Sequence, residues 1–516
     1  MAITRRQFLK RSGLATAGMT LGPGLFANPF VRRALADTIG DRYFVVIFLD
    51  GGNDGLNTVP IYNNGSGTLR DDYNLARIAG PGGLRLTPDD LDGTTFGNGG
   101  TLLSTLNPLD PSLGKDPNTG AKLALHPGFR GFPDTQFPAL PQAPGKDGFF
   151  HPDLIGKVAV IQGCGYPQYS LSHDEARNVW KTGDPAALYG GPGYGGSGWI
   201  GRHLADLSSG YLASDIPGIC IQDSIAGELK QTKTSILALQ RLDRFGFPYD
   251  SDNSDDDTAK RTAFLDLHGQ ASASAQATIK YLGDGGSVTL KSSESYPAAG
   301  VDYDIDRGTT FGQEYDDLGR SLGRDLREVA KIIWGVSHNI INPDNSARFF
   351  QVSNGGYDTH SDQGAADPNG QHFSLHAEVS AAINIFYRDL KDMGLENKVC
   401  VLVWSEFSRR IHQNDNGTDH GSQGPMFVIG GAVNGGVYGV HPNIADSAQD
   451  GEGNTIYQST PDIYGFKSTD FRDVYGTVLK HWLNMPSGII VPNVLQTDSG
   501  SAPDYWTTPN FDMGFI

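Results

Sequence analysis

Residues 43–60 read YFVVIFLDGGNDGLNTVP. Tyr43 to Leu49 are seven apolar residues, rich in β-branched and aromatic types and without the polar gaps of an amphipathic helix. Such a run predicts a strand buried on both faces, as in the interior of a parallel sheet. Asp50 ends it, and Gly51 and Gly52 allow a sharp turn and a close approach. Ligands of open α/β sheets sit beyond the carboxyl ends of the strands, where Asp50 falls. Asp, Gly and Asn are also ordinary turn residues, so Asp50 and Asn53 can equally be shaping a turn.

The pattern recurs downstream. Val158 to Gln162, Phe349 to Val352, Lys398 to Trp404 and Met426 to Ile429 read as further strands, each followed by glycines or by polar residues. Helical spacing between them (Leu322, Leu326, Val329, Ile332 and Ile333; then Leu375, Val379, Ile383, Phe386 and Leu390) predicts helices. Others are expected from Gly198 to Leu204 and from Asp470 to Leu483. This alternation implies a doubly wound α/β sheet.

Beyond the strand ends stand Asp50, then Asp358 and His360, then Glu406, then Asp419 and His420. Mixed carboxylate and imidazole donors suit a borderline-to-hard divalent ion better than Cu⁺ or an iron–sulfur cluster. Two such ions could clamp and polarise a phosphoryl or sulfuryl group. Ser172 and Glu175 have the spacing of a capping box, which places a helix start beside His173. Ser172 is thus an N-cap, a nucleophile helped by the helix terminus, or both. His372 and His376 lie one turn apart, but without the glutamate of the zinc-protease motif they read as surface histidines. His126, before Pro127, reads as a loop anchor.

The N-terminus carries Thr4-Arg5-Arg6-Gln7-Phe8-Leu9-Lys10, a weakly apolar stretch to Phe26, and Ala34-Leu35-Ala36. This is the pattern of a twin-arginine signal peptide over residues 1–36, implying the export machinery as partner and a periplasmic location. Those residues hold six basic side chains and no acidic ones, which leaves 34 basic against 58 acidic residues and a formal charge of −24. So acidic a surface argues against nucleic acid and anionic lipid as partners. No other apolar run is long enough to span a membrane, so no stable span is expected after cleavage. The three cysteines are too widely spaced for a disulfide framework or a zinc-cysteine site. Residues 62–150 read as long loops, and 245–310 as a polar, acidic, solvated insertion within one domain over 37–516.

The segments FLDGGNDGLNTVP, LSHDEARNVWKTG, GWIGRHL, GGYDTHSDQ, WSEFSRR, TDHGSQGPMFVIGG and TDFRDVYGTVLKHWL, in this order behind a twin-arginine signal, resemble the exported domain-of-unknown-function family 1501. That family is similar to a distant branch of the alkaline phosphatase and sulfatase superfamily. The resemblance implies an alkaline phosphatase-like α/β fold: a central mostly parallel sheet, helices on both faces, long loop insertions, and a metal site at the strand ends. By the same resemblance Asp50, Asp358, His360, Glu406 and His420 hold one or two divalent cations (zinc, manganese, magnesium or calcium). Ser172 or His173 is catalytic, and Arg202 or Arg409 binds a small anionic ester. Two departures stand out. Phe407 occupies the place of a superfamily histidine, and the nucleophile register falls on His173. The expected activity is metal-dependent hydrolysis of phosphate or sulfate esters; the alternative is a non-catalytic envelope scaffold that keeps the fold.

Overall fold

The computed structural model describes residues 41–95, 100–106, 114–132, 147–166, 169–185, 196–206, 215–231, 234–246, 255–343, 346–442, 444, 469–495 and 509–516. The signal sequence, with Ala34-Leu35-Ala36, lies outside the described residues, as do Asp250 and Asp252 of the acidic insertion.

Nine strands form one sheet: β1 (Tyr43–Asp50), β2 (Val158–Gly165), β3 (Gly218–Cys220), β4 (Ile236–Ala238), β5 (Phe349–Gly355), β6 (Val399–Ser405), β7 (Gly424–Ile429), β8 (Gly436–Tyr438) and β9 (Thr469–Asp470). Their order is β4-β3-β5-β1-β6-β7-β2-β8, with β9 beside β2. β1 lies centrally, parallel to both β5 and β6. The sheet is mixed rather than mostly parallel, because β7 runs antiparallel to both β6 and β2. The cause lies in the 406–423 connection. A parallel neighbour needs a crossover, usually helical; this segment has no helix and turns back at the same edge.

β1 shows why the sheet is buried on both sides. Tyr43, Val45, Ile47 and Leu49 enter one core, Phe44, Val46 and Phe48 the other, following the two-residue period of a strand. The second core is closed by α1 (His173–Thr182), α2 (Trp199–Ala205) and α7 (Phe471–Thr477). The first is covered by α5 (Ser321–Ser337) and α6 (Gln371–Asp392). The segment 245–310, a polar insertion by composition, has regular structure that its sequence did not announce. Its described part forms an antiparallel helix pair, α3 (Asp255–Ser272) and α4 (Ala277–Arg307). Near the end of α4, Tyr296, Ala299 and Tyr303 join the first core, and Tyr303 and Arg307 both bond Asp389 at 2.6 Å. Tertiary anchoring of these few apolar residues outweighs the polar average. Then come α5, α6 and α7. No helix among the described residues is long and apolar enough to cross a membrane.

The register aligns Asp50 with Gly355, and Leu49 with Ser405. The carboxyl ends of β1, β5 and β6 therefore stand level, and every loop that follows opens at one edge.

Candidate functional site

The turn after β1 is built for close contact. Gly51 and Gly52 have φ of +125° and +82°. A Cβ on Gly51 would lie 2.3 Å from the Asp358 amide nitrogen, and one on Gly52 would lie 2.2 Å from the Phe407 ring. Only glycine lets the β5 and β6 loops come this near.

Helix α1 supplies two side chains. Ala176, Val179 and Trp180 are its buried face, with Trp180 stacked on Trp404 of β6 at 5.4 Å. The opposite spacing, His173 and Arg177, faces the strand ends. His173 Nδ1 lies 2.8 Å from Glu406 Oε1. An ionised carboxylate only accepts, so Nδ1 carries the proton and Nε2 presents a lone pair. His420 Nδ1 sits 2.7 Å from the Leu171 carbonyl, and the same reasoning leaves its Nε2 bare. His360 Nδ1 is fixed by Asp419 at 3.0 Å.

All three Nε2 atoms converge on Asp358. That of His173 is 3.5 Å from Oδ2, that of His420 3.2 Å from Oδ1, and that of His360 3.1 Å from Oδ1. The His360 and His420 Nε2 atoms are 2.9 Å apart. One ligating atom each from His173, Asp358 and His420 fall within 4.8 Å of one another. Lone pairs facing a carboxylate at these distances require a cation, proton or metal, among them. Two imidazoles and one carboxylate are a donor set that divalent zinc and iron both accept.

The charges are arranged accordingly. Burial opposes ionisation of Asp358, but the hydrogen bond and charge of Arg409 prevail and hold its pKa down to about 2. The Glu406 hydrogen bond raises the pKa of His173, while burial lowers that of His420. Phe407 packs against both imidazoles, at 4.8 Å and 4.5 Å between ring centres, and offers no lone pair.

The structure thus brings Asp358, His360 and His420 together with His173. Glu406 stands behind them. It is fully buried, and accepts from Gly51 N at 3.1 Å and Gly52 N at 3.2 Å as well as from His173. Asp50 lies at the same edge but bonds Arg177. Arg409 is buried, and its guanidinium donates to the carbonyls of Gly51, Gly52, Tyr357 and Thr418 and to Asp358 at 2.6 Å. It ties loops together and sets Asp358 rather than waiting for a substrate. Arg202 bonds the carbonyls of Ser197, Thr182 and Val494, none of them in this group. Ser172 begins α1 as its spacing predicts, yet its hydroxyl makes no capping bond and the side chain is exposed. Ser170 takes the expected Glu175 contact, at 2.7 Å. Arg177 was the residue missed, though its place four residues after His173 puts both on one helix face.

Beneath the Gly51–Gly52 turn lies a second group that the sequence misplaces. His372 and His376 are buried, not on the surface, and with His126 form a cluster of rings 4.1–5.1 Å apart. His372 Nε2 meets Asn53 Oδ1 at 3.2 Å, and His376 Nε2 meets Thr58 Oγ1 at 3.2 Å. His126 is a loop anchor as expected, accepting from Gly128 N at 3.0 Å. Burial pushes the pKa of His126 and His372 to about 3, and that of His376 well below normal.

Residues 343–477 match the model of a family described as "protein of unknown function (DUF1501)". The match supports that family over the segment carrying Asp358, His360, Glu406, Arg409 and His420. Comparison with curated proteins and with solved structures finds no match.

Proposed function

We propose that this is an exported, metal-dependent hydrolase of phosphate or sulfate esters, carried on an alkaline phosphatase-like fold. The observation behind the reading is the convergence of His173, Asp358 and His420, with both histidine tautomers held so that Nε2 faces the carboxylate. An ion bound there would supply Lewis-acid polarisation of the ester group. Glu406 and the Leu171 carbonyl orient the imidazoles, the buried outer contacts that metal-ligating histidines ordinarily keep. Arg409 keeps Asp358 ionised and in place. Phe407 walls one side against water. The export reading rests on Arg5 and Arg6, and the single-domain reading on the continuous cores flanking one sheet.

The scaffold reading draws on a different observation: Ser172 is exposed, and among the described residues its side chain makes no hydrogen bond to the histidine group. One set of variants separates the two. His420→Ala and Asp358→Ala should each lose the bound ion, measured by mass spectrometry of protein purified without chelator. Each should also lose the linked stabilisation, about 2.7 kcal/mol when free metal is roughly 100 times its Kd. His173→Ala should lose metal and hydrolysis of aryl phosphate and sulfate esters together. Ser172→Ala should change stability by no more than about 0.5 kcal/mol, as at an exposed site that caps nothing. Its turnover decides whether the serine attacks. A metal-loaded wild-type protein inert towards every ester would put the scaffold ahead.

A further inference from the structure

Two carboxylates at the strand ends, Asp50 after β1 and Glu406 after β6, are candidates for a second cation, but a guanidinium already lies between them. Arg177 bonds Asp50 Oδ1, and its Nε is 3.4 Å from Glu406 Oε1. The remaining capacity of Glu406 is taken by Gly51 N, Gly52 N and His173. Next along the chain, Phe407 contributes no donor atom. A second divalent ion would have to displace this part-buried network, in which the His173 imidazole already spends its Nδ1 proton on Glu406.

We infer that Arg177 takes the place of a second cation, so that the site holds one divalent ion and Arg177 is the residue that grips a tetrahedral oxyanion ester beside it. The inference rests on the metal reading above and specifies its charge partner. Arg409 cannot serve, since its nitrogens are spent on four carbonyls and Asp358. Arg177 is unsaturated by comparison. Its Nε is buried against Glu406 Oε1 at 3.4 Å, but among the described residues its Nη1 has only Asp174 at 3.7 Å, a carboxylate almost fully in solvent. The helix places the guanidinium one turn from His173, beside the metal position. Asp50, Asp358 and Asp419 are partly exposed carboxylates in contact with Arg177 or the histidines, so an anion needs a positive contact beyond the ion, and a planar fork suits two oxygens of phosphate or sulfate.

The test compares wild type, Arg177→Gln and Arg177→Lys, with folding checked by circular dichroism. Zinc content is measured by mass spectrometry, and inorganic phosphate and sulfate binding to the zinc-loaded proteins by calorimetry. One zinc per chain is expected in all three. Affinity for the preferred anion should fall about tenfold or more in Arg177→Gln, the loss of a charged hydrogen bond, with partial retention in Arg177→Lys. Two zinc ions per wild-type chain, one of them lost in Asp50→Asn, would overturn the inference. So would unchanged anion affinity in folded Arg177→Gln and Arg177→Lys, each with its zinc bound. Wild-type protein that takes no zinc, manganese or iron would instead strike the metal reading itself.

Discussion

Between about pH 6.5 and pH 4, the His126–His372–His376 cluster should withdraw up to roughly 4 kcal/mol of stability per pH unit, about 1.4 for each ring. All three rings are buried, and burial holds each pKa far below the ordinary 6.5, aided by neighbouring rings at His126 and His376 and by Arg77 and Arg409 at His372. The unfolded chain binds protons once the pH drops below that value, while the folded chain refuses them. Stability therefore falls with pH through this window and is unaffected above it. Two carboxyls work in the opposite sense. Burial raises Asp325 to about 7 and Asp389 to about 6, so their contribution grows as the pH falls. The measurement must for that reason be differential: urea unfolding of wild type, His372→Gln and His376→Gln at several pH values. Each variant should show a slope shallower by about 1.4 kcal/mol per pH unit, with the carboxyl terms cancelling between proteins. Parallel slopes would mean that these histidines carry protons in the fold.

Legibility followed the range of the signal. β1, β5, β6 and α6 announce themselves because strand and helix periodicity are local, and buried runs such as Tyr43–Leu49 leave little choice. Asp358 and His360 were legible for a related reason: polar residues just past an apolar run must stand at a sheet edge, whereas His420, deep in the 406–423 loop, was indicated by the family resemblance. The direction of β7 was not, since it depends on the path of the 406–423 loop, which has no periodicity. The burial of His372 and His376 was hidden as well. On a helix wheel they lie beside Phe373, Ala377 and Ser380, and only the tertiary approach of Asn53, Thr58 and His126 makes that face interior. The roles of Asp50 and Glu406 were blurred by distance along the chain. Nothing in either local sequence says that Arg177 stands between them. Ser172 shows the reverse error, a local motif complete on paper whose contact is made two residues earlier, by Ser170.

Glu406 is the residue whose change should cost the site most. It is fully buried, and it serves two backbone amides, His173 and Arg177 at once. Burial alone would raise its pKa, but the His173 hydrogen bond, with further help from Arg177, reverses the shift, so the carboxylate stays charged. Glu406→Ala removes an anion from beneath Arg177 and leaves buried donors unmet, a loss of about 3–5 kcal/mol. Glu406→Gln is the more informative change. It keeps the shape but sets an amide NH₂ against groups that are themselves donors, and should cost about 1–3 kcal/mol. If that NH₂ faces His173, the imidazole must accept at Nδ1 and move its proton to Nε2, the atom aimed at Asp358. A metal held by that Nε2 should then bind about 10–100-fold more weakly, as when an outer carboxylate is removed from a ligating histidine. Zinc titration and urea unfolding of the same preparation give both numbers. Undiminished zinc affinity in a destabilised Glu406→Gln protein would take His173 out of the ligand set and leave Asp358, His360 and His420 as the group to pursue.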